Sequence, residues 1–258
     1  MANLEVIQEI AEQVLAVPTP KGAADRYLID RAHRVRRHCA CIARLVDVQR
    51  FQIDHECLYV AALFRDAGFA RYANQEDRAS RLVLADLTDE DLRDFSAQTV
   101  HEKLSELLNP RQMERVCSTI IDSARRDTTL IEAMILSDAR GLDDLGAIGL
   151  FNEFRRYVIH GRGAEEALLS WKRKVEYDYW AARLREGFRF DSVRELAERR
   201  LAAAEQFMQC LDAEHRAADL EDILLEQQLS PSEESAPSGL GEDVGLRQFS
   251  RSRPTANV

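Results

Sequence analysis

Apolar residues recur at spacings of three and four along nearly the whole chain, the period of a helix that buries one face. Over residues 24–47 the stripe reads Leu28, Ala32, Val35, Cys39, Ile42 and Val46. A first helix is predicted over 3–16, stopped by Pro18 and Pro20, because proline lacks an amide hydrogen and cannot continue the ladder. Residues 54–66 are apolar on most sides, which predicts a central helix. Further helices are expected near 98–108, 111–125, 128–145, 147–160, 164–186 and 190–217. Alternating patterns of useful length are missing, so the expected fold class is all-α.

Composition changes the picture at the C-terminal end. Residues 1–217 read as one helical domain, and 218–229 read as an acidic amphipathic helix with a stripe of Leu220, Ile223 and Leu224. This helix either packs as the last element or, as part of residues 211–258, recruits a protein partner. Residues 230–258 are rich in Ser, Pro and Gly and are expected to be a disordered tail, since they hold too little apolar surface to offset the entropy of ordering. The net charge of -10 argues against general nucleic-acid binding. The opening residues carry no basic segment and no uninterrupted apolar run, and no stretch of 18 apolar residues exists. A cytoplasmic, membrane-free protein is therefore expected. The five cysteines, Cys39, Cys41, Cys57, Cys117 and Cys210, show no C-x-x-C pair and are expected to be reduced core residues.

Charges on buried faces give the candidate chemistry. Arg31 follows Leu28 by three residues and precedes Val35 by four, so it points with the apolar stripe. Arg65 shares a face with Leu58, Ala61 and Ala62, with Asp66 beside it. Asp138 falls among Ile131, Met134, Ile135, Leu142 and Leu145. Buried charges are costly unless paired, so these two arginines and two aspartates are expected to meet in one polar site. His33 lies about 200° round the helix from Arg31 and reads as a surface residue. Trp171, Trp180, Tyr177 and Tyr179 read as a packed helix face, with base stacking as the alternative. Gly146 and Gly149 read as positions that turn the chain or let two helices approach.

At these same residues the chain resembles the HD superfamily of metal-dependent phosphohydrolases, in particular the small bacterial stand-alone HD hydrolases. The stretch EAMILSDARGLDDLGAIGLF, residues 132–151, is similar to that branch's "AKIVxDADRLxALGAIG" segment, and YVAALFRDAGFAR, residues 59–71, is similar to "AALLHDIGK". DRAHRVRRHCACIA resembles the opening "HxxRVxxxAxxIA" motif. The resemblance implies an HD-type helical bundle with additional C-terminal helices. It puts Arg31 and Arg65 where metal-binding histidines belong, with His33 the alternative for the first position, and retains Asp66 and Asp138. His101 is similar to an extra histidine of the family, Ser123 replaces a later one, and Arg140 replaces the second acidic residue of "DAD".

The family's activity is phosphoester hydrolysis by a divalent metal that polarises the phosphate and acidifies a bound water. Guanidinium is always protonated and has donors only, so Arg31 and Arg65 cannot ligate a metal. It does pair with carboxylates through two parallel hydrogen bonds. The expected function is that of a catalytically inactive HD-domain protein, without cofactor, retained for sensing a phosphate-containing small molecule, for protein interaction or for regulation. The degenerate site would comprise Arg31, Arg65, Asp66, His101, Ser123, Asp138 and Arg140. The alternative is a working phosphohydrolase on a nucleotide or other phosphoester, with a displaced metal on Asp66, Asp138 and His101.

Overall fold

The computed structural model describes residues 3–18, 24–74 and 89–229. Among these, twelve helices carry the chain, together with one two-residue ribbon. The first helix, α1 (Leu4–Leu15), starts where Asn3 Oδ1 accepts the Val6 N–H and buries Ile7, Ala11 and Leu15 at four-residue spacing. The chain then forms an antiparallel pair, β1 (Val17–Pro18) with β2 (Ala24–Asp25), where no strand was expected. Helix α2 (Tyr27–Ile42) buries Leu28, Ala32, Val35, Cys39 and Ile42, with Arg31 on the same face. The helix ends at Ile42, so Val46 leaves the predicted stripe and is 89% exposed.

Helix α3 (His55–Phe64), capped by Asp54 on the Cys57 N–H, is buried on nearly every side. It passes through Arg65 and Asp66 into the short α4 (Ala67–Ala73). Helix α5 (Asp89–Leu104) begins nine residues earlier than the periodicity indicates. Its backbone packs so close to α4 that a Cβ on Gly68 would lie 2.0 Å from the Leu92 carbonyl oxygen. Helix α6 (Pro110–Asp122) opens with an Asn109–Gln112 capping box and a proline in its first turn. Helix α7 (Ile131–Asp143) packs against α2, α3 and α6 and is likewise buried on several faces. A single apolar core joins these elements, with Phe64, Leu63, Ile120, Ile135 and Leu136 fully enclosed.

Gly146 has a φ of +71° and opens α8 (Gly146–Ile159). A Cβ there would meet the Arg200 side chain at 3.0 Å, so this glycine both turns the chain and admits a neighbouring helix. That neighbour is α11 (Asp191–His215). The single helix expected over 164–186 is two, α9 (Ala164–Glu176) and α10 (Tyr179–Gly187), broken at Asp178 with a φ of 51°. The break folds Trp171 onto Trp180, with ring centroids 5.0 Å apart, while Tyr177 stays 81% exposed. All five cysteines are free; Cys41 and Cys210 are exposed, unlike the core positions expected for them. The described residues from Ala217 on form a separate unit made of α12 (Ala218–Leu229); the tail expected over 230–258 lies outside the described residues.

Candidate functional site

Four helices bring charged side chains to one point. From α2, Arg31 Nε lies 3.5 Å from Asp66 Oδ2 and 3.2 Å from Asp143 Oδ2, and its Nη2 donates to Asp144 Oδ1 at 2.9 Å. One turn on, Arg34 donates to both Asp143 oxygens, at 2.8 and 3.3 Å. After α3, Arg65 Nη1 stands 3.5 Å from Asp66 Oδ1, and its Nη2 donates to Asp89 at 3.1 Å. From α7, Arg140 Nη1 grips both oxygens of Asp144 at 2.9 and 2.7 Å, with its Nε 3.7 Å from Asp66. Arg183 of α10 completes the group by donating to Asp144 at 2.8 Å.

Arg31, Arg65, Asp66 and Asp143 are all buried. Burial works to raise the Asp66 carboxyl, but the guanidiniums of Arg31, Arg140 and Arg65 outweigh it and bring it down to about 2. A depressed carboxylate stabilises the folded state fully above its unfolded value of 3.8 and loses that contribution as pH falls through about 2. Arg31 is held above its ordinary value, because Asp66, Asp144, Tyr27 and Asp143 together overcome the effect of burial. Arg65 goes the other way: burial exceeds the pull of Asp66, and Arg140 adds repulsion.

Asp138 is a correction to the sequence reading. It does not meet the arginines. Its oxygens accept the backbone N–H groups of Arg189 and Phe190, at 3.0–3.1 Å, just ahead of α11. The reason is helical phase on a helix buried on several faces: residues 138 and 140 point about 200° apart, so an inward stripe at 138 and a site-facing residue at 140 coexist. The position of α7 that faces Asp66 is therefore Arg140. His101 is also corrected, being exposed at the end of α5 and away from the cluster. Ser123 is buried, donates to the Ile120 carbonyl at 2.7 Å and lines a cleft beside Arg65. His33 sits 3.0 Å from Glu12 of α1, half-buried rather than on the open surface.

Sequence reasoning missed Asp143, Asp144, Arg34, Arg183 and Asp89. Two signals were present: Arg34 follows Arg31 by three residues, and Asp144 follows Arg140 by four, both spacings that share a helix face. It also missed Glu132, fully buried in α7, which accepts the Asp54 N–H at 2.6 Å and Arg115 at 2.7 Å.

Two clefts flank the cluster. The first, about 280 Å³, is lined by the cations Arg31, Arg140, Arg155, Arg156, Lys174 and Arg183, and by the aromatic rings of Tyr27, Phe69, Tyr179 and Trp180. Its acidic lining is Asp144 and Glu153. The second, about 330 Å³, is lined by Arg65, Asp89, Ser123, Ser137 and Phe188 among others. Arg140, Asp144 and Arg183 border both.

No protein-family model and no curated protein sequence matches the chain. Solved structures do. YpgQ of Bacillus subtilis superposes with a TM-score of 0.55 at 20% identity, over 82% of this chain and 94% of its own. A predicted HD superfamily hydrolase from an uncultured Thermotogales bacterium gives 0.51 at 20% identity, over 83% and 93%. The fold resembles that of these proteins, one of them a predicted HD superfamily hydrolase. YpgQ has also been solved in complex with ADP, and that structure superposes at 0.54 with 20% identity.

The resemblance to HD hydrolases implies a divalent metal, and the residues present do not fit one. Three guanidiniums, which offer no lone pair, lie 3.5, 3.5 and 3.7 Å from Asp66. Among the described residues no group of three His, Cys, Asp or Glu is placed to hold a metal ion.

Asp138 carries a prediction of its own. Burial pushes its carboxyl up to about 7, against the pull of the Phe190 and Arg189 amides. Because the folded value lies above the unfolded 3.8, ionisation costs stability as pH rises from about 4 to about 7. The full span corresponds to roughly 4 kcal/mol. Urea unfolding at stepped pH should show wild type losing stability across this window relative to Asp138→Asn; parallel curves would refute it.

Proposed function

We propose that this chain is a catalytically inactive HD-fold protein that binds a phosphate-bearing small molecule, a nucleotide fitting best, in the first cleft. The observation that carries this reading is the lining, where six cations face two carboxylates beside four aromatic rings. Guanidinium and ammonium groups serve phosphate oxygens, and aromatic faces serve a base. Arg155 already stacks on Tyr27 with its guanidinium carbon 4.3 Å from the ring centroid, and Lys174 is 5.3 Å from the Trp180 centroid. The complex of YpgQ with ADP supports the same class of ligand. No hydrolysis is expected, because Arg31, Arg65 and Arg140 all lie within 3.7 Å of Asp66, where a metal would bind.

The metal-dependent alternative would need Asp66, Asp138 and His101 together, and these three point to different places. ADP titration followed by tryptophan fluorescence tests the proposal. Saturable binding is expected, weakened roughly tenfold or more by Arg155→Gln or Lys174→Ala, with no phosphate released. Absence of binding, or wild-type affinity in both variants, would overturn it.

A further inference from the structure

Among the described residues, the arginine–aspartate cluster is not neutral. Arg31, Arg34, Arg65, Arg140 and Arg183 meet Asp66, Asp89, Asp143 and Asp144, which leaves one cation in excess, and Arg93, also paired with Asp89, adds another. Arg31, Arg65, Arg93 and Arg140 each keep an Nε without a hydrogen-bond partner, and Arg65 is the buried one whose best carboxylate comes from the surface. Its side chain is 6% exposed, its Nε has no hydrogen-bond partner, and its contact with Asp66 is a long 3.5 Å. Its remaining partner is Asp89, whose side chain is 58% exposed and which Arg93 also holds. A buried guanidinium is thus satisfied by a carboxylate that reaches in from the surface and has a second cation to return to.

The space beside it is the second cleft, which Arg65, Arg140 and Arg183 share with Asp89 and Asp144. Asp144 is already taken up by Arg31, Arg140 and Arg183. Ser137 Oγ accepts from Arg189 Nη1 at 3.1 Å, which leaves its own hydrogen to turn toward the cleft. We infer that this second cleft is an anion site for a compact oxyanion such as inorganic phosphate, and that the Asp89 carboxylate is its built-in competitor. The incoming oxyanion replaces Asp89 on Arg65, and Asp89 swings to Arg93. Asp89 is more than half exposed and keeps its contact with Arg93, so the exchange costs it little, while the buried guanidinium gains a partner with more acceptor oxygens.

This site is separate from the proposed nucleotide cleft and is tested separately, by calorimetric titration of the full-length protein with inorganic phosphate. Asp89→Asn removes an exposed carboxylate without touching the core, and should tighten binding about threefold or more, the worth of the lost competition. Arg65→Gln should weaken it roughly tenfold, and Arg65→Lys, which keeps the charge if the glutamine variant does not fold, should fall between. Arg111→Gln, which is exposed and lines neither cleft, should leave phosphate affinity unchanged. Phosphate affinity that is indifferent to Asp89→Asn, or lost with Arg155→Gln but not with the Arg65 variants, would overturn the inference. An Asp89-dependent phosphate site in a protein that does not take up ADP would uphold it and reject the nucleotide reading alone.

Discussion

Asp143→Ala is expected to destabilise the fold by roughly 3–5 kcal/mol, the cost of removing one partner from a buried ion pair. Asp143 has no exposed surface, holds Arg34 through both of its oxygens, and lies 3.2 Å from Arg31 Nε. Its loss leaves Arg34 without its carboxylate, and leaves Arg31 leaning on Asp66 and Asp144 alone. In a domain of this size the change should lower Tm by roughly 10 °C. Two controls identify the cause. Asp212→Ala, which breaks the exposed pair with Arg216, should cost less than about 1 kcal/mol. Adding Arg34→Met to Asp143→Ala should recover part of the loss, because the orphaned charge goes with its partner. A urea midpoint for Asp143→Ala equal to that of Asp212→Ala would mean that the cluster does not hold these helices together.

The second large effect runs in the opposite direction. The triple variant Arg31→His, Arg65→His, Arg140→Asp is expected to acquire divalent-metal binding. The three replaced guanidiniums lie 3.5, 3.5 and 3.7 Å from Asp66, from three different helical segments. Imidazole and carboxylate supply the lone pairs that guanidinium lacks. Asp143 and Asp144, released from Arg31 and Arg140, add negative charge nearby. At Mn²⁺ about a hundredfold above its dissociation constant, the variant should gain about 2.7 kcal/mol of stability. Thermal melts with and without Mn²⁺ read this directly, and a variant that folds but shows no shift would mean that the geometry at Asp66 is wrong for a metal.

The helices were legible because their causes are local. The Leu28–Ile42 stripe, the proline stop after α1 and the capping residues all act within a few positions of themselves. The inward aim of Arg31 was legible for the same reason. What failed was the choice between two buried faces of one helix. Periodicity assigns Asp138 to an apolar stripe, but α7 is enclosed on several sides, and only the tertiary packing shows that residue 140 faces Asp66 while residue 138 holds the chain ahead of α11. The reach of Asp89 to Arg65 and of Asp144 to Arg31 was hidden likewise. Their roles depend on partners 24 to 113 positions away in the sequence. The resemblance singles out residues 31, 65 and 66, and the structure brings Arg31 and Arg65 each to 3.5 Å from Asp66.

The central claim is that positive side chains now fill the place of a metal ion beside Asp66. Calorimetric titration of Mn²⁺ into the wild-type protein and the triple variant side by side tests it most directly. The account predicts no saturable heat for wild type and one site for the variant. Stoichiometric Mn²⁺ binding by wild type that disappears in Asp66→Ala would contradict it.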